Sequence, residues 1–292
     1  MRKSIMKTSL KIAALAAVTG LSFAACAPVT LLNGITPSGS FSKAKDISYG
    51  PLERQSLDIY KADSPRANAP VLVYIHGGSW SEGSKDIYKF LAEGFTSEGY
   101  DVVVPNYRLY PEAVYPQMIE DTAKAIAFAA KQYPDRRLAV MGHSAGGYNA
   151  LMATLNKSYL SAEGVNVCDR VAGVISLAAP TGAYELKEEP YITIFPDRFQ
   201  KTDAPLAYAN GSSPRLFVMN GADDTTVGPK NAQDLAAKVS ASGGAAELKI
   251  YDGVNHTEAV QFLSRHFDGK ATLKADIIAF MDGLPKSGNF CG

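Results

Sequence analysis

The sequence predicts an α/β fold in which helices cover both faces of a mainly parallel, doubly wound sheet. Short runs rich in Val, Ile and Leu are continuous rather than alternating, which is typical of strands buried on both faces. Longer amphipathic runs separate them, and a repeated strand-helix order implies right-handed crossovers. The 292 residues, 46% hydrophobic and 20% charged, are the right size for one such domain.

Seven runs are predicted to be strands and six to be helices. The predicted strands are residues 56–60, 71–75, 101–104, 138–141, 171–177, 216–220 and 248–251. The predicted helices are residues 86–98, 117–131, 147–156, 230–240, 259–267 and 271–282. We expect one folded domain over residues 46–283, followed by a short tail over residues 284–292.

The first 26 residues have the pattern of an export signal. Four basic residues among the first eleven precede an apolar, alanine-rich run over residues 12–25. This run is short for a membrane-spanning helix. The residues before Cys26 resemble a bacterial lipoprotein cleavage box, from which Phe23 departs. We therefore expect export, either to the periplasm or to the membrane through a lipidated Cys26, with secretion as the alternative.

Two further segments do not follow the alternation of strands and helices. Residues 27–45 hold Pro, Gly and Ser with little apolar periodicity, which predicts a linker. Residues 183–213 combine Pro190, Pro196 and Pro205 with several aromatic residues. Long irregular insertions in compact domains are often functional, so we predict a short lid there, with a plain surface loop as the alternative.

Charge and cysteine content limit the partners and the compartment. Lys plus Arg equals Asp plus Glu at 29 each, so no basic surface field is expected, and nucleic acid is an unfavourable partner. No protein partner is predicted. Removal or lipidation of Cys26 would leave Cys168 and Cys291, which an exported protein could join in a disulfide. Two free thiols are the alternative.

The pattern G-x-S-x-G occurs at residues 142–146, directly after the predicted strand 138–141. A strand-to-helix turn of this kind is so sharp that it needs glycine on either side of the serine. It exposes the hydroxyl at the sheet edge, against a helix N-terminus. The pattern also arises by chance in glycine-rich chains, but its place after a strand favours Ser144 as a nucleophile.

A serine hydroxyl needs a neighbouring base, and the chain holds four histidines. His76 belongs to another motif, His143 adjoins the serine with a side chain expected to diverge, and His266 lies in a predicted helix. These three are interpreted as packing or surface residues. His256 follows the predicted strand 248–251 across a short loop, so it is the predicted base.

A second glycine motif follows the predicted strand 71–75. The segment His76-Gly77-Gly78-Ser79-Trp80 places paired glycines where backbone N–H groups can approach a substrate oxygen. We expect an oxyanion hole formed by Gly77 or Gly78, with Ser79 as a further candidate, together with the N–H of Ala145. A glycine turn beside a core tryptophan is the structural alternative.

The acid that orients the imidazole should lie on another strand-end loop. Asp223 and Asp224 both follow the predicted strand 216–220. We choose Asp224, with Asp223 and, less favourably, Asp252 as alternatives. This choice gives the chain order nucleophile, acid, base, which is the order of α/β-hydrolases.

These segments, together with Asn106-Tyr107-Arg108-Leu109, resemble the α/β-hydrolase superfamily over about residues 46–283. The likeness is greatest to small carboxylesterases and to feruloyl-esterase-like and kynurenine-formamidase-like enzymes. Residues 76–80 resemble the H-G-G-x-W segment of these enzymes. Ser79 occupies a position that varies in the family, so the subgroup stays open. The resemblance implies a catalytic triad of Ser144, Asp224 and His256, with oxyanion donors from Gly77, Gly78 and Ala145.

The expected reaction is two-step acyl transfer on a small-molecule acyl substrate. Ester hydrolysis is the first expectation, because the chain is compact and its lid short, and N-formyl amide hydrolysis is the alternative. A non-catalytic binding protein with this fold is an alternative of another class. The chain holds no His-Glu-x-x-His helix, no G-x-G-x-x-G after a strand and no P-loop, so no metal or organic cofactor is expected.

Overall fold

Eight strands form one sheet in the order β1-β2-β4-β3-β5-β6-β7-β8 in a computed structural model, which describes residues 31–182, 188–196 and 203–291. β1 pairs with β2, and β2 with β4, in antiparallel fashion, while the other neighbouring pairs are parallel. The predicted mainly parallel sheet is confirmed. The strands are β1 (Phe41–Ser48), β2 (Ser56–Ala62), β3 (Val71–Ile75), β4 (Val102–Pro105), β5 (Leu138–His143), β6 (Val171–Leu177), β7 (Arg215–Gly221) and β8 (Ala246–Tyr251).

Helices cover both faces of this sheet. The described α-helices are α1 (Lys89–Thr96), α2 (Gln117–Gln132), α3 (Ala145–Leu155), α4 (Ser158–Ala162), α5 (Val167–Arg170), α6 (Tyr191–Ile194), α7 (Pro205–Tyr208), α8 (Lys230–Ala241), α9 (His256–Gln261) and α10 (Leu273–Asp282). Residues 31–35 are also helical, and short 3-10 turns cover Lys85–Ile87 and Arg265–Phe267. Among the described residues, no helix combines the length and apolarity needed to cross a membrane.

The core consists of two apolar clusters, one on each side of the sheet. Alternate residues of β3 divide between them: Val71, Val73 and Ile75 face the cluster that includes α2, α3 and α8, whereas Leu72 and Tyr74 face α1 and α10. All five side chains are completely buried. This explains why the strand sequences are continuous apolar runs rather than alternating ones.

β1 begins inside the segment that the sequence predicts as a linker, residues 27–45. Its sequence, FSKAKDIS, is mostly exposed because it is the edge strand of the sheet. An edge strand buries little apolar surface and often carries lysine, so it leaves no apolar run to detect. The sheet therefore begins at Phe41 rather than after Lys45.

Parts of other predicted segments lie outside the described residues. These are the signal peptide with Cys26, residues 27–30 of the predicted linker, residues 183–187 and 197–202 of the predicted lid, and Gly292 of the predicted tail. The described lid residues pack onto the domain. The ring centroid of Phe195 lies 4.7 Å from that of Trp80 and 5.6 Å from that of Tyr148. The N–H of Tyr115 donates to the carbonyl oxygen of Ile194 at 2.8 Å.

Cys168 and Cys291 are joined by a disulfide, with Cα atoms 5.0 Å apart. The N–H of Phe290 also donates to the carbonyl oxygen of Cys168 at 2.7 Å. Leu284 and Phe290 are buried. The predicted tail is therefore fastened to α5 rather than extended into solvent.

Candidate active site

Ser144 lies in a strained turn between β5 and α3. Its backbone has φ 54° and ψ −126°, a region that residues with a side chain rarely adopt. The flanking glycines allow this turn, because a Cβ atom on Gly142 would lie 2.2 Å from the carbonyl oxygen of Gly146. A Cβ on Gly146 would lie equally close, at 2.2 Å, to the carbonyl oxygen of Ile75. The turn places the hydroxyl at the carboxyl edge of the parallel strands.

His256 reaches this hydroxyl from the far end of the chain. Its Nε2 lies 3.0 Å from Oγ of Ser144. His256 is the first residue of α9, which starts earlier than the predicted helix at residue 259 because Asn255 caps it. The Asn255 side chain accepts from the N–H groups of Thr257 and Glu258, and the Glu258 carboxylate accepts from the N–H of Asn255. This capping box fixes the start of the helix and the loop before it.

Asp224 holds the other side of the imidazole. Its Oδ2 lies 2.7 Å from Nδ1 of His256, and its Oδ1 accepts from the N–H groups of Thr226 and Val227 at 2.9 and 2.8 Å. Burial by itself would raise the pKa of Asp224, but the bond to His256 and the two backbone N–H groups outweigh it and lower the pKa. Asp224 is thus a buried carboxylate that stays ionised.

The two other acid candidates have different surroundings. The side chain that contacts His256 belongs to Asp224, whereas Asp223 and Asp252 are both exposed. Because a carboxylate accepts, Nδ1 of His256 carries the proton of this bond. In a neutral imidazole, Nε2 is then the unprotonated nitrogen and can accept the proton of Ser144.

The glycine segment after β3 passes directly against the serine. A Cβ atom on Gly77 would lie 3.2 Å from the Cβ of Ser144. Gly78 has φ 125°, and a Cβ there would lie 2.2 Å from the carbonyl oxygen of Glu82, so only glycine fits. The N–H of Ala145, the first residue of α3, has no partner within its helix because helix N-termini leave such groups free. Gly77 and Ala145 thus both adjoin Ser144.

Polar contacts from neighbouring segments hold this glycine segment in place. The hydroxyl of Tyr107 donates to the carbonyl oxygen of His76 at 3.0 Å, and their rings stack with centroids 4.5 Å apart. Arg108 makes a two-pronged ion pair with Asp121, with N–O distances of 2.7 and 2.8 Å. The indole N–H of Trp80 donates to Oδ1 of Asn149 in α3 at 2.8 Å. Tyr107 and Asn149 therefore hold the two ends of this glycine segment, at His76 and Trp80.

The three remaining histidines differ in their surroundings. His76 is buried, which lowers its pKa to about 4, and it serves as a packing residue as expected. His266 is exposed and lies in a 3-10 turn rather than an α-helix. His143 departs from the expectation that its side chain diverges from the site. Its Nε2 lies 3.0 Å from the carbonyl oxygen of His256, a long-range contact that local sequence could not signal.

No group of three or more His, Cys, Asp or Glu side chains within the described part of the chain is arranged to hold a metal ion. The chemistry that the residues themselves offer is a hydrogen-bonded relay. It runs from the carboxylate of Asp224 through the imidazole of His256 to the hydroxyl of Ser144. A hydroxyl activated in this way can attack a carbonyl carbon.

Comparison with known proteins places this arrangement in a family. The BD-FAE family model matches residues 57–239, which is more than half of the chain. The chain is 25% identical over 280 residues to the isoprenylcysteine alpha-carbonyl methylesterase ICME of Arabidopsis thaliana, covering 84% of this chain and 65% of that protein. It is 28% identical over 186 residues to the kynurenine formamidase of Danio rerio, covering 62% of this chain and 60% of that protein.

The first curated relatives are longer than this chain, which spans about three-fifths of their length. Among solved structures, the fold is similar to that of esterase B from Lactobacillus rhamnosis (HN001). The TM-score is 0.75 at 17% identity, over 94% of this chain and 96% of that one. The chain therefore belongs to the BD-FAE family and has the esterase-type α/β-hydrolase fold.

Proposed function

We propose that this protein is a carboxylic ester hydrolase with Ser144 as nucleophile, His256 as general base and Asp224 as the orienting acid. The observation that carries the proposal is the relay of two hydrogen bonds, 3.0 Å from Ser144 to His256 and 2.7 Å from His256 to Asp224. The three residues come from loops after β5, β7 and β8, which end at one edge of the sheet. A relay assembled from three distant loops is the arrangement that serine hydrolases need.

Acylation follows from the positions of the protons. Nε2 of His256 takes the proton of Ser144 as Oγ attacks the carbonyl carbon of the ester. The carbonyl electron pair moves to its oxygen, which we assign to the N–H groups of Gly77, Gly78 and Ala145, each worth about 3 kcal/mol of barrier. When the tetrahedral intermediate collapses, His256 protonates the departing alkoxide, and an alcohol leaves. The acyl group is then bonded to Ser144.

Deacylation repeats these steps with water. His256 removes a proton from water as the water oxygen attacks the acyl carbon, and the same N–H groups hold the new oxyanion. The proton on His256 then returns to Oγ of Ser144, which leaves as the restored hydroxyl, and a carboxylic acid is released. Asp224 stabilises the imidazolium in both halves because it is ionised and 4% exposed.

Ester hydrolysis is the preferred reaction because esterases are prominent among the relatives and structural neighbours. The likeness to kynurenine formamidases supports N-formyl amide hydrolysis as a second candidate on the same residues. In that reaction His256 would protonate a departing amine instead of an alkoxide. The substrate is in either case a small acyl compound.

We also propose that the protein is exported. The charged and apolar pattern of residues 1–25 supports this, and so does the disulfide between Cys168 and Cys291. Disulfides persist in oxidising compartments, such as the bacterial periplasm or the extracellular space, and are rare in reducing ones. Attachment to a membrane would depend on lipidation of Cys26.

The decisive experiment is fluorophosphonate labelling combined with turnover of p-nitrophenyl acetate. We expect wild type to be labelled and active, and Ser144→Ala to lose both properties. Asp224→Asn should lower kcat about 10³- to 10⁴-fold, whereas the exposed neighbour variant Asp223→Asn should stay near wild type. A folded wild type that is neither labelled nor active would favour a non-catalytic binding protein. Comparing an N-formyl aniline substrate with the ester separates the two reactions.

A further inference from the structure

His143 has no part in the acyl transfer just described, although it adjoins the residues that perform it. It is the last residue of β5 and directly precedes Ser144. Its Nε2 lies 3.0 Å from the carbonyl oxygen of His256. A carbonyl oxygen only accepts, so this nitrogen carries a proton and donates it. The bond ties the main chain of His256 to the strand that carries Ser144.

The ring of His143 is confined on two sides. Its centroid lies 4.7 Å from that of the His256 ring, with the planes inclined by 40°. Towards the glycine segment, a Cβ atom on Gly77 would lie 3.3 Å from Nδ1 of His143. The residue is only 6% exposed. His143 therefore fills the space between the base and the segment assigned to the oxyanion.

The loop that carries His256 also has other attachments, among them the N–H of Asp223, which donates to the carbonyl oxygen of Val254 at 3.1 Å. The capping box of Asn255 and Glu258 orders the start of α9 but does not determine how far that helix lies from Ser144. The bond from Asp224 to Nδ1 holds one end of the imidazole. The bond from His143 attaches the backbone of the same residue to β5.

The charge of His143 is compatible with this position. His256 becomes a cation in each half of the proposed reaction, and a second cation in ring contact would oppose that charge. Burial and, as a smaller cause, the neighbouring His256 lower the pKa of His143 to about 3. His143 therefore stays neutral near neutral pH, so it can hold His256 without opposing the protonation of the His256 imidazole.

We propose that His143 is a positioning residue for ester hydrolysis, whose Nε2–H holds the backbone of His256 so that the imidazole stays within hydrogen-bond reach of Ser144. This inference rests on the proposed function, since it assigns a task within the same relay. It differs from a general packing role because it depends on one donor atom.

The test compares His143→Gln, which keeps an N–H donor at similar reach, with His143→Leu, which has none. Thr122→Val is a matched control, because it removes a buried hydrogen bond to the carbonyl oxygen of Met118 in α2. We expect His143→Leu to lower kcat for p-nitrophenyl acetate about 10- to 100-fold with KM within about twofold of wild type. His143→Gln should recover most of this loss, and Thr122→Val should affect stability alone.

A second readout does not require turnover. The proton between His256 and Asp224 should give a downfield ¹H NMR signal in wild type, His143→Gln and Thr122→Val, and a broadened or missing signal in His143→Leu. The inference is overturned if His143→Leu keeps the wild-type kcat and signal, or if His143→Gln is as slow as His143→Leu. If wild type shows no turnover, the proposed function fails, and the NMR comparison alone decides whether His143 positions His256.

Discussion

Lys85 and Asp58 form an ion pair in which both side chains are buried, with Nζ and Oδ1 2.9 Å apart and exposures of 1% and 0%. Lys85 also contacts Asp46 and Asp86, while Lys43 contacts the second oxygen of Asp58. Burial alone would lower the pKa of Lys85, but the three carboxylates outweigh it and raise the pKa. The cluster joins β1 and β2 to the 3-10 turn that precedes α1.

Replacing this lysine should destabilise the fold. Lys85→Met leaves the Asp58 carboxylate buried with one cation fewer, and breaking a buried pair in this way costs about 3 kcal/mol. Urea unfolding would measure the loss. Lys45→Met is the control, since Lys45 is 58% exposed and its contacts with Asp46 and Asp86 are longer, at 3.4 and 3.9 Å. Its effect should stay below about 0.5 kcal/mol, and equal losses in the two variants would contradict the prediction.

The backbone strain at Ser144 should have a measurable effect on the free energy of unfolding. Glycine adopts φ 54° and ψ −126° with less strain than alanine, so Ser144→Gly should be about 1 kcal/mol more stable than Ser144→Ala. Both variants lack the Ser144 hydroxyl, so the difference between their free energies of unfolding isolates the backbone strain. Thermal and urea unfolding of the two proteins would test this. A glycine variant less stable than the alanine variant would show that the turn is not strained.

Two buried histidines should make stability depend on pH. The pKa of His76 is lowered to about 4 and that of His143 to about 3, chiefly by burial. An unfolded histidine has a pKa of about 6.5, so below that pH the unfolded chain binds protons at these two residues that the folded protein does not bind. This stability is present above about pH 6.5 and is lost as pH falls towards the folded values. Each histidine contributes up to about 1.4 kcal/mol per pH unit to the slope.

A variant can separate the two contributions. His76→Asn keeps a side-chain N–H for the carbonyl oxygen of Gly77, which lies 2.8 Å from Nδ1 of His76. Urea unfolding between pH 5 and 7 should show about half the wild-type slope in this variant. An unchanged slope in His76→Asn would mean that His76 does not carry this dependence.

The disulfide should contribute strongly because it closes a long loop. Cys168 and Cys291 are 123 residues apart in the chain. In the chain-entropy view, cross-linking a loop of this size stabilises a protein by about 5 kcal/mol. The double variant Cys168→Ala/Cys291→Ala should lose that amount in urea unfolding. Wild type treated with a reductant should unfold like the variant, and a large remaining difference between them would contradict the disulfide as the cause.

Lipidation of Cys26 can be tested by fractionation. If the lipoprotein pattern is used, wild type should sediment with membranes, and Cys26→Ser should move it to the soluble fraction or leave it unprocessed. The thioether-linked lipid should also appear in the mass of the N-terminal peptide. A wild type that is processed and soluble would indicate simple secretion, with the Cys26→Ser variant behaving in the same way.

Local patterns in the sequence determined much of the sheet and the sharp turn at Ser144. The runs at β3 and β6 match the predicted residues 71–75 and 171–177, because strands covered on both faces must be apolar throughout. The glycines near Ser144 indicate a sharp turn, because the backbone at Gly142 and Gly146 leaves no room for a Cβ atom. The chain order of serine, aspartate and histidine that is typical of α/β-hydrolases then narrowed the candidates for the acid to a few residues.

Only the tertiary structure decided which groups meet across the chain. β1 could not be predicted, because an exposed edge strand has no apolar signature. Asp224 rather than exposed Asp223 contacts His256 because the turn after β7 buries one carboxylate and leaves the other in solvent. The contact of His143 with His256 spans 113 residues and the disulfide spans 123. Such contacts depend on sheet order and loop geometry, which no short stretch of sequence contains.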